Sequence, residues 1–191
     1  MRRSDLEHII RAAADISDDN EIVVIGSQAV LGQFPDAPPE LCLSMEADVF
    51  PRNHPERWNV IDGSIGELSP FHETFGYYAQ GVEETTAVLP AGWKERLIPV
   101  RNANTRGATG LCLEIHDLLI SKYVASREKD RRFARAAAGY GLADRTTLLQ
   151  RLKNTQLDDA RHESSVHRGR LQARLSARRN AVNSKNFMKK S

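Results

Sequence analysis

The apolar residues near the N-terminus recur with the period of a helix. Residues 6–16 place one apolar face at Leu6, Ile9, Ile10, Ala13 and Ile16. This spacing predicts an amphipathic helix that packs on the body of the protein. Ser4 and Glu7, three residues apart, predict a capping box with Ser4 as the N-cap.

Two segments that follow have strand patterns. Residues 21–25 form a β-branched apolar run, which predicts a buried strand that Gly26 and Ser27 interrupt. A short helix is expected from Gln28, and the three prolines of residues 35–40 predict a loop. Residues 43–50 alternate between apolar and polar side chains, which indicates a strand with one apolar face.

The rest of the chain changes from mixed to helical patterns. A helix is predicted over 55–61, a loop over 63–75, and strands over 85–89 and 96–100. Gly107 and Gly110 mark a boundary, after which the pattern is helical, with Asp144 capping a last helix. The expected class is α+β (mixed α/β): a small mixed sheet flanked by helices over 1–108, then a helical half with a basic tail over 109–191.

The charge is unevenly distributed along the 191 residues. From Arg161 onward there are nine Lys or Arg and one acidic residue, a net charge of +8, while the remainder carries −6. Arg170, Arg174 and Arg178 recur every four residues in this tail and predict an RNA-binding stripe. A solvated, partly disordered tail is the alternative.

Cysteine content and hydropathy narrow further the class of protein that this sequence can encode. Cys42 and Cys112 are too few and too far apart for a zinc site or a disulfide scaffold, so we expect two ordinary thiols. No apolar run has the length of a membrane span, and the charged N-terminus is unlike a signal peptide. We therefore expect a cytoplasmic protein without a membrane partner.

Four residues form the pattern that points most directly to a chemical function. Gly26 lets the backbone turn sharply after a strand, and Ser27 follows at a helix start, where free N–H groups favour a phosphate. Glu46 and Asp48 lie two apart on a strand and therefore point to one face. Paired carboxylates suit Mg²⁺ or Mn²⁺ in a phosphoryl-transfer site. Two alternating acids on a solvated face are the alternative.

Other nucleotide and hydrolase signatures are lacking. The sequence has no Gly-x-Gly-x-x-Gly fingerprint, no Gly-Lys-Ser/Thr phosphate loop and no His-Glu-x-x-His pair. It also has no serine nucleophile elbow.

Two segments resemble a known superfamily. Val24-Ile25-Gly26-Ser27, together with Glu46-Ala47-Asp48-Val49, is similar to the Gly-Ser and acid-x-acid motif of polymerase-beta-like nucleotidyltransferases. The run HDLLISKYVASREKD, residues 116–130, resembles the helical signature of the bacterial DUF6036 and AbiEii-like branch, which includes the MenT-type toxins. The similarity extends from the first helix to about residue 152.

The resemblance implies a nucleotidyltransferase fold and a set of site residues. Gly26, Ser27, Lys122 and Arg127 would bind the nucleoside triphosphate, and Glu46 and Asp48 would bind the metal. Asp130 would act at the active site or support it. An RNA acceptor is expected, most specifically a tRNA 3′ end, with the chain as a toxin that has a cognate antitoxin. The alternatives are a protein-adenylylating enzyme and a catalytically silent nucleic-acid or partner-binding module.

Two points of geometry stay open in the sequence. On one continuous helix, Lys122 and Asp130 would share a side about 12 Å apart, and Lys122, in an apolar stretch, would need a partner. Arg127 and Asp130 could form a structural ion pair instead. No convincing third carboxylate follows Asp48, because Asp62, Glu84 and Glu95 are weak candidates, so the general base is unassigned.

Overall fold

The computed structural model describes residues 1–156, which form a mixed five-stranded sheet packed with helices. The strands are β1 (Glu21–Val24), β2 (Glu46–Pro51), β3 (Tyr78–Gly81), β4 (Ile98–Val100) and β5 (Thr109–Cys112). The helices are α1 (Arg3–Ser17), α2 (Val30–Gln33), α3 (Trp58–Ile65), α4 (Pro70–Phe75), α5 (Ile115–Ala125), α6 (Glu128–Gly139) and α7 (Arg145–Lys153). The predicted α+β class is confirmed.

The strand order in the sheet is β3-β2-β1-β5-β4. The central strand β1 is antiparallel to β2 and parallel to β5, with Val24 opposite both Val49 and Cys112. β3 is parallel to β2, and β4 is antiparallel to β5. The sheet therefore joins elements from both sides of the domain boundary proposed after residue 108.

Helix α1 covers one face of the sheet. Its apolar side chains Leu6, Ile9 and Ile10 are fully buried, as the amphipathic pattern predicts. A β-carbon at Gly110 would lie 2.3 Å from Cδ1 of Ile10, so a larger residue there would force the Ile10 side chain of α1 to move. The second face of the sheet carries the polar positions of β2.

The start of α1 differs from the prediction. The N-cap is Arg2, and the capping box joins Arg2 to Asp5, whose Oδ2 accepts from the Arg2 backbone N–H at 2.7 Å. The predicted box of Ser4 and Glu7 is wrong, because Glu7 is buried and accepts hydrogen bonds from Arg3, Asn102 and Asn104.

Several predicted elements are corrected in the middle of the chain. Residues 63–75, predicted as loop, contain the end of α3 and all of α4, and residues 85–89, predicted as a strand, begin in the 3₁₀ turn Glu84–Thr86. The boundary predicted at Gly107 and Gly110 is where β5 forms. The strand predicted over 96–100 is confirmed as β4.

A buried carboxylate on α5 attaches α7 to the body. Asp117, fully buried on α5, accepts two hydrogen bonds from Arg96, at 2.8 and 3.0 Å, and lies 3.3 Å from Nε of Arg151 on α7.

Both cysteines are free thiols, as expected. Within residues 1–156, every helix is too short or too polar to cross a membrane.

Candidate active site

The Asp48 carboxylate lies directly against the turn that follows β1. The Ile25 N–H donates to the Asp48 carbonyl oxygen at 3.0 Å, which extends the pairing of β1 with β2 by one residue. Gly26 is next, in extended conformation, and a β-carbon there would be 2.0 Å from Oδ2 of Asp48. The glycine turn and the second acid of the predicted pair are therefore in contact, despite the proline-rich loop between them.

Glu46 and Asp48 share the face of the sheet opposite α1. Ala47 and Val49, the alternate residues of β2, are fully buried on the α1 side. In the register of β2 with β3, Tyr78 is the neighbour of Glu46 and Gln80 is the neighbour of Asp48. The Tyr78 hydroxyl donates to Oε2 of Glu46 at 3.2 Å.

Ser27 begins the 3₁₀ turn Ser27–Ala29, which leads into the four-residue helix α2. The helix predicted after the glycine is therefore present but short. Gln28 in this turn is fully buried, and its side-chain amide has no hydrogen-bond partner within the described part of the chain. Ser27 is the half-buried residue of the turn and the one that carries a hydroxyl.

Lys122 and Asp130 lie on two helices, so the single continuous helix predicted for them is wrong. Helix α5 ends at Ala125, and Ser126 takes a left-handed conformation with φ 53° before α6 begins at Glu128. This turn brings Nζ of Lys122 to 3.4 Å from Oδ1 of Asp130. The partner that buried Lys122 required is thus Asp130.

Asp130 holds a second cation as well. The Nε group of Arg127 donates to Oδ2 of Asp130 at 2.7 Å, and the Arg127 backbone N–H donates to the same oxygen at 3.2 Å. Arg127 is the N-cap of α6 and forms a capping box with Asp130. The structural ion pair considered for these two residues is present, and Asp130 joins α5 to α6.

The carboxylates and cations perturb one another electrostatically. Burial raises the pKa of Asp48, and the negative charge of Glu46 raises it further against the opposing charges of Lys122, Lys129 and Arg127. Burial lowers the pKa of Lys122, while the charges of Asp130 and Asp48 partly offset it. Burial acts to raise the pKa of Asp130, but the hydrogen bond from Arg127 and the charge of Lys122 outweigh it, so the pKa is lowered.

Two site residues were missed from the sequence. Nζ of Lys129 lies 3.4 Å from Oε1 of Glu46, and its position beside Asp130 in the 116–130 run was the available signal. Tyr78 had no signal, because the strand that carries it was not predicted. Burial, together with the charge of Glu46 and the hydrogen bond to it, raises the pKa of Tyr78 to about 12.

The other predicted acids do not join Glu46 and Asp48. Asp62 accepts a hydrogen bond from Gln80 at 2.7 Å, Glu84 pairs with Lys94, and Glu95 is exposed in a separate turn. Across residues 1–156, no three acidic, histidine or cysteine side chains form a group that could hold a metal ion. Arg170, Arg174 and Arg178 lie outside the described residues.

The chain also matches the model of a known protein family. The model of the family DUF6036, described as a nucleotidyltransferase of unknown function, matches residues 4–172. No significant match was found among curated proteins or among solved structures. The match confirms the resemblance to nucleotidyltransferases, and the MenT-type toxin branch stays a prediction.

Proposed function

The chain belongs to the DUF6036 family of nucleotidyltransferases, and we propose that it transfers a nucleoside monophosphate from a nucleoside triphosphate to an RNA hydroxyl. The observation that carries the proposal is the Asp48 carboxylate, set against Gly26, beside Glu46 and within the electrostatic reach of three cations. Such a site combines an acidic pair for a metal with positive charge for a triphosphate.

The acidic pair fits a divalent ion by its donor set and by its surroundings. Both donors are carboxylates, the oxygen ligands that Mg²⁺ and Mn²⁺ prefer. Within residues 1–156, no protein group donates a hydrogen bond to the Asp48 carboxylate, although burial and Glu46 make its charge unfavourable. Gly26 leaves beside Oδ2 the space that a side chain would fill.

Positively charged side chains would hold the triphosphate. Lys122 and Arg127 are fixed by Asp130 near the acidic pair, and the Ser27 hydroxyl lies at the end of β1 next to Gly26. Charge-assisted hydrogen bonds from such groups orient phosphate oxygens strongly. A divalent ion bound by Asp48 and Glu46 would neutralise the negative charge that develops on the α-phosphate.

At the α-phosphorus, the transfer forms one bond and breaks one. The acceptor hydroxyl oxygen attacks the α-phosphorus, and the bond from this phosphorus to the oxygen that bridges to the β-phosphorus breaks. Pyrophosphate leaves with that oxygen, and the hydroxyl proton is released to water. Lys122 and Arg127 stabilise the negative charge that the leaving pyrophosphate gains.

The choice of RNA as the acceptor rests on the sequence. The segment from Arg161 onward carries +8, which favours a polyanionic partner, and Arg170, Arg174 and Arg178 would contact its phosphates. We propose a tRNA 3′ end as the acceptor and a role as the toxin of a toxin–antitoxin pair, with an antitoxin as partner.

A labelling assay tests the proposal. The purified chain is incubated with Mg²⁺, each of the four α-labelled nucleoside triphosphates, and total tRNA. We expect label on tRNA, its loss in EDTA, and its loss in Asp48→Ala. The matched control is Asp15→Ala, because Asp15 is exposed on α1, across the sheet from the acids, and should leave labelling intact.

The other outcomes separate the alternatives. A parallel reaction contains lysate protein in place of tRNA, and label on this protein but not on RNA would assign a protein-adenylylating enzyme. No label on either, with no rise in melting temperature on adding Mg²⁺ and a triphosphate, would assign a silent binding module. Transfer by a clean Asp48→Ala preparation would overturn the metal assignment.

A further inference from the structure

The strand beside the acidic pair contributes no further carboxylate to the site. Tyr78 and Gln80 occupy the β3 positions next to Glu46 and Asp48, on the same face of the sheet. The Gln80 amide donates to Asp62, which holds that acid at the edge of the sheet by α3. Two adjacent divalent ions would therefore have to share only two carboxylates.

Asp130, the nearby buried acid, is already committed to other cations. Its Oδ1 lies 3.4 Å from Lys122 and its Oδ2 accepts from Arg127 at 2.7 Å. Moving this carboxylate to a metal would leave the buried Lys122 ammonium without its partner, which is unfavourable. Asp130 is therefore unsuited to be the third ligand.

The two remaining carboxylates are not equivalent. Both oxygens of Glu46 have partners, the Tyr78 hydroxyl at Oε2 and the Lys129 ammonium at Oε1. The Asp48 carboxylate accepts no hydrogen bond from any group in the described part of the chain, and it is the acid in contact with Gly26. One acid thus already has a protein cation and the other does not.

From this asymmetry we infer that Lys129 is a resident cation at Glu46, so that the acidic pair takes a single divalent ion, on the Asp48 side. The inference rests on the proposed function and specifies its metal stoichiometry. Lys129 lies in the first turn of α6 and its side chain is 62% exposed. Its ammonium therefore has room to move and pair with a phosphate oxygen when substrate binds. Lys129 then acts as a positioning residue for Glu46.

Manganese binding tests the inference without any turnover. Free Mn²⁺ is titrated into the full chain at low ionic strength, and the signal of unbound Mn²⁺ is followed by electron paramagnetic resonance. We expect one Mn²⁺ per chain. Lys129→Gln should bind it roughly fivefold more tightly, since a like charge near the ion is removed. The gain should shrink in high salt, because the contact is exposed.

A second pair of variants measures the coupling of Lys129 to Glu46. In the wild-type chain Glu46→Gln should weaken Mn²⁺ binding less than Asp48→Asn does, because Lys129 already occupies Glu46. In the Lys129→Gln background, Glu46→Gln should weaken it more. The matched control is Lys94→Gln, because Lys94 is also an exposed lysine paired with a glutamate, 2.7 Å from Glu84, and should leave Mn²⁺ affinity unchanged.

The outcomes distinguish the inference from the function it rests on. Two Mn²⁺ per chain, or Lys129→Gln binding no more tightly than Lys94→Gln, would overturn the single-ion inference and leave the transferase proposal standing. Absence of Mn²⁺ binding by the wild-type chain would overturn both the inference and the metal assignment under the proposed function.

Discussion

Gly26 and Asp48 are in contact such that a β-carbon on the glycine would lie 2.0 Å from Oδ2 of the acid. The backbone of Gly26 is in an ordinary region, with φ −82°, so the glycine is required by the carboxylate and not by its own conformation. The contact brings the Gly-Ser motif and the acid-x-acid motif together at one point of the structure.

Gly26→Ala should displace the Asp48 carboxylate and reduce nucleotide transfer by roughly 100-fold, the scale of a misplacement of about 1 Å. The fold should survive, since alanine tolerates this backbone. Gly63→Ala in α3 is the matched control: a β-carbon there meets nothing within 4 Å. It should keep full activity and gain about 0.5–1 kcal/mol in unfolding free energy. Near-normal transfer by Gly26→Ala would contradict the assignment.

Asp48→Asn should abolish transfer and yet stabilise the metal-free fold at neutral pH. Because the folded pKa is raised, the stabilising contribution of the protonated acid is fully present below the unfolded value of 3.8 and is lost as pH rises through the folded pKa. Urea unfolding in EDTA should give the variant the larger free energy of unfolding at pH 7, by about 1.4 kcal/mol for each unit by which the folded pKa of Asp48 is raised. This difference should disappear in acid. A variant less stable than wild type at pH 7 would refute this account.

Lys122 and Asp130 should be energetically coupled. Asp130→Asn leaves a buried ammonium without its partner and should cost about 3 kcal/mol. Lys122→Met with Asp130→Asn should cost less than the sum of the single changes, with a coupling of about 1–3 kcal/mol. Urea unfolding of all four chains measures the cycle. Additive costs would show that the 3.4 Å contact contributes nothing.

The contribution of the Asp130 carboxylate to stability should depend on pH in the opposite direction to that of Asp48. The pKa of Asp130 is lowered, so its contribution is present above the unfolded value of 3.8 and is lost as pH falls through the folded pKa. The deficit of Asp130→Asn relative to wild type should therefore be largest at neutral pH and fade in acid. A deficit that grows on acidification would contradict the assignment.

Gln28→Met should stabilise the protein. The Gln28 amide is fully buried, and its nitrogen and oxygen lack partners within residues 1–156. An apolar side chain of similar length removes that cost, which we place at about 1 kcal/mol. The gain is measured by urea unfolding. A loss of stability would mean that the amide has a partner in solution, such as a bound water.

The sequence predicted the elements whose signals are local. The β-branched run gave β1, the alternation over 43–50 gave β2, and residues two apart on β2 do share a face. The need of Lys122 for a partner was also visible, because its neighbours are apolar. The contact of Asp48 with Gly26 depends on the pairing of β1 with β2 across a proline-rich loop, so it was a hypothesis until the fold was known.

The failures come from residues whose role is set by distant contacts. Gly110 was interpreted as a boundary, whereas it lies inside β5, where the Ile10 side chain of α1 packs on it. Gly81, the last residue of β3, lies against α3 in a similar way, since a β-carbon there would be 2.0 Å from the Trp58 carbonyl oxygen. The left-handed turn at Ser126 splits a helix in a non-glycine residue, which no local pattern marks. Tyr78 was missed because β3 was not predicted, and Lys129 was missed although it lies beside Asp130 in the 116–130 run.

The parallel pairing of β1 with β5 has a consequence for synthesis on the ribosome. Glu21 can find Thr109 only after most of the described chain has been made, and Lys122, Arg127 and Asp130 emerge later still. Such long-range pairing forms late, because the intervening chain must first be enclosed. A nascent chain that already displays its acidic pair would thus still lack Lys122, Arg127 and Asp130, and the candidate site would be assembled only after translation has passed Asp130.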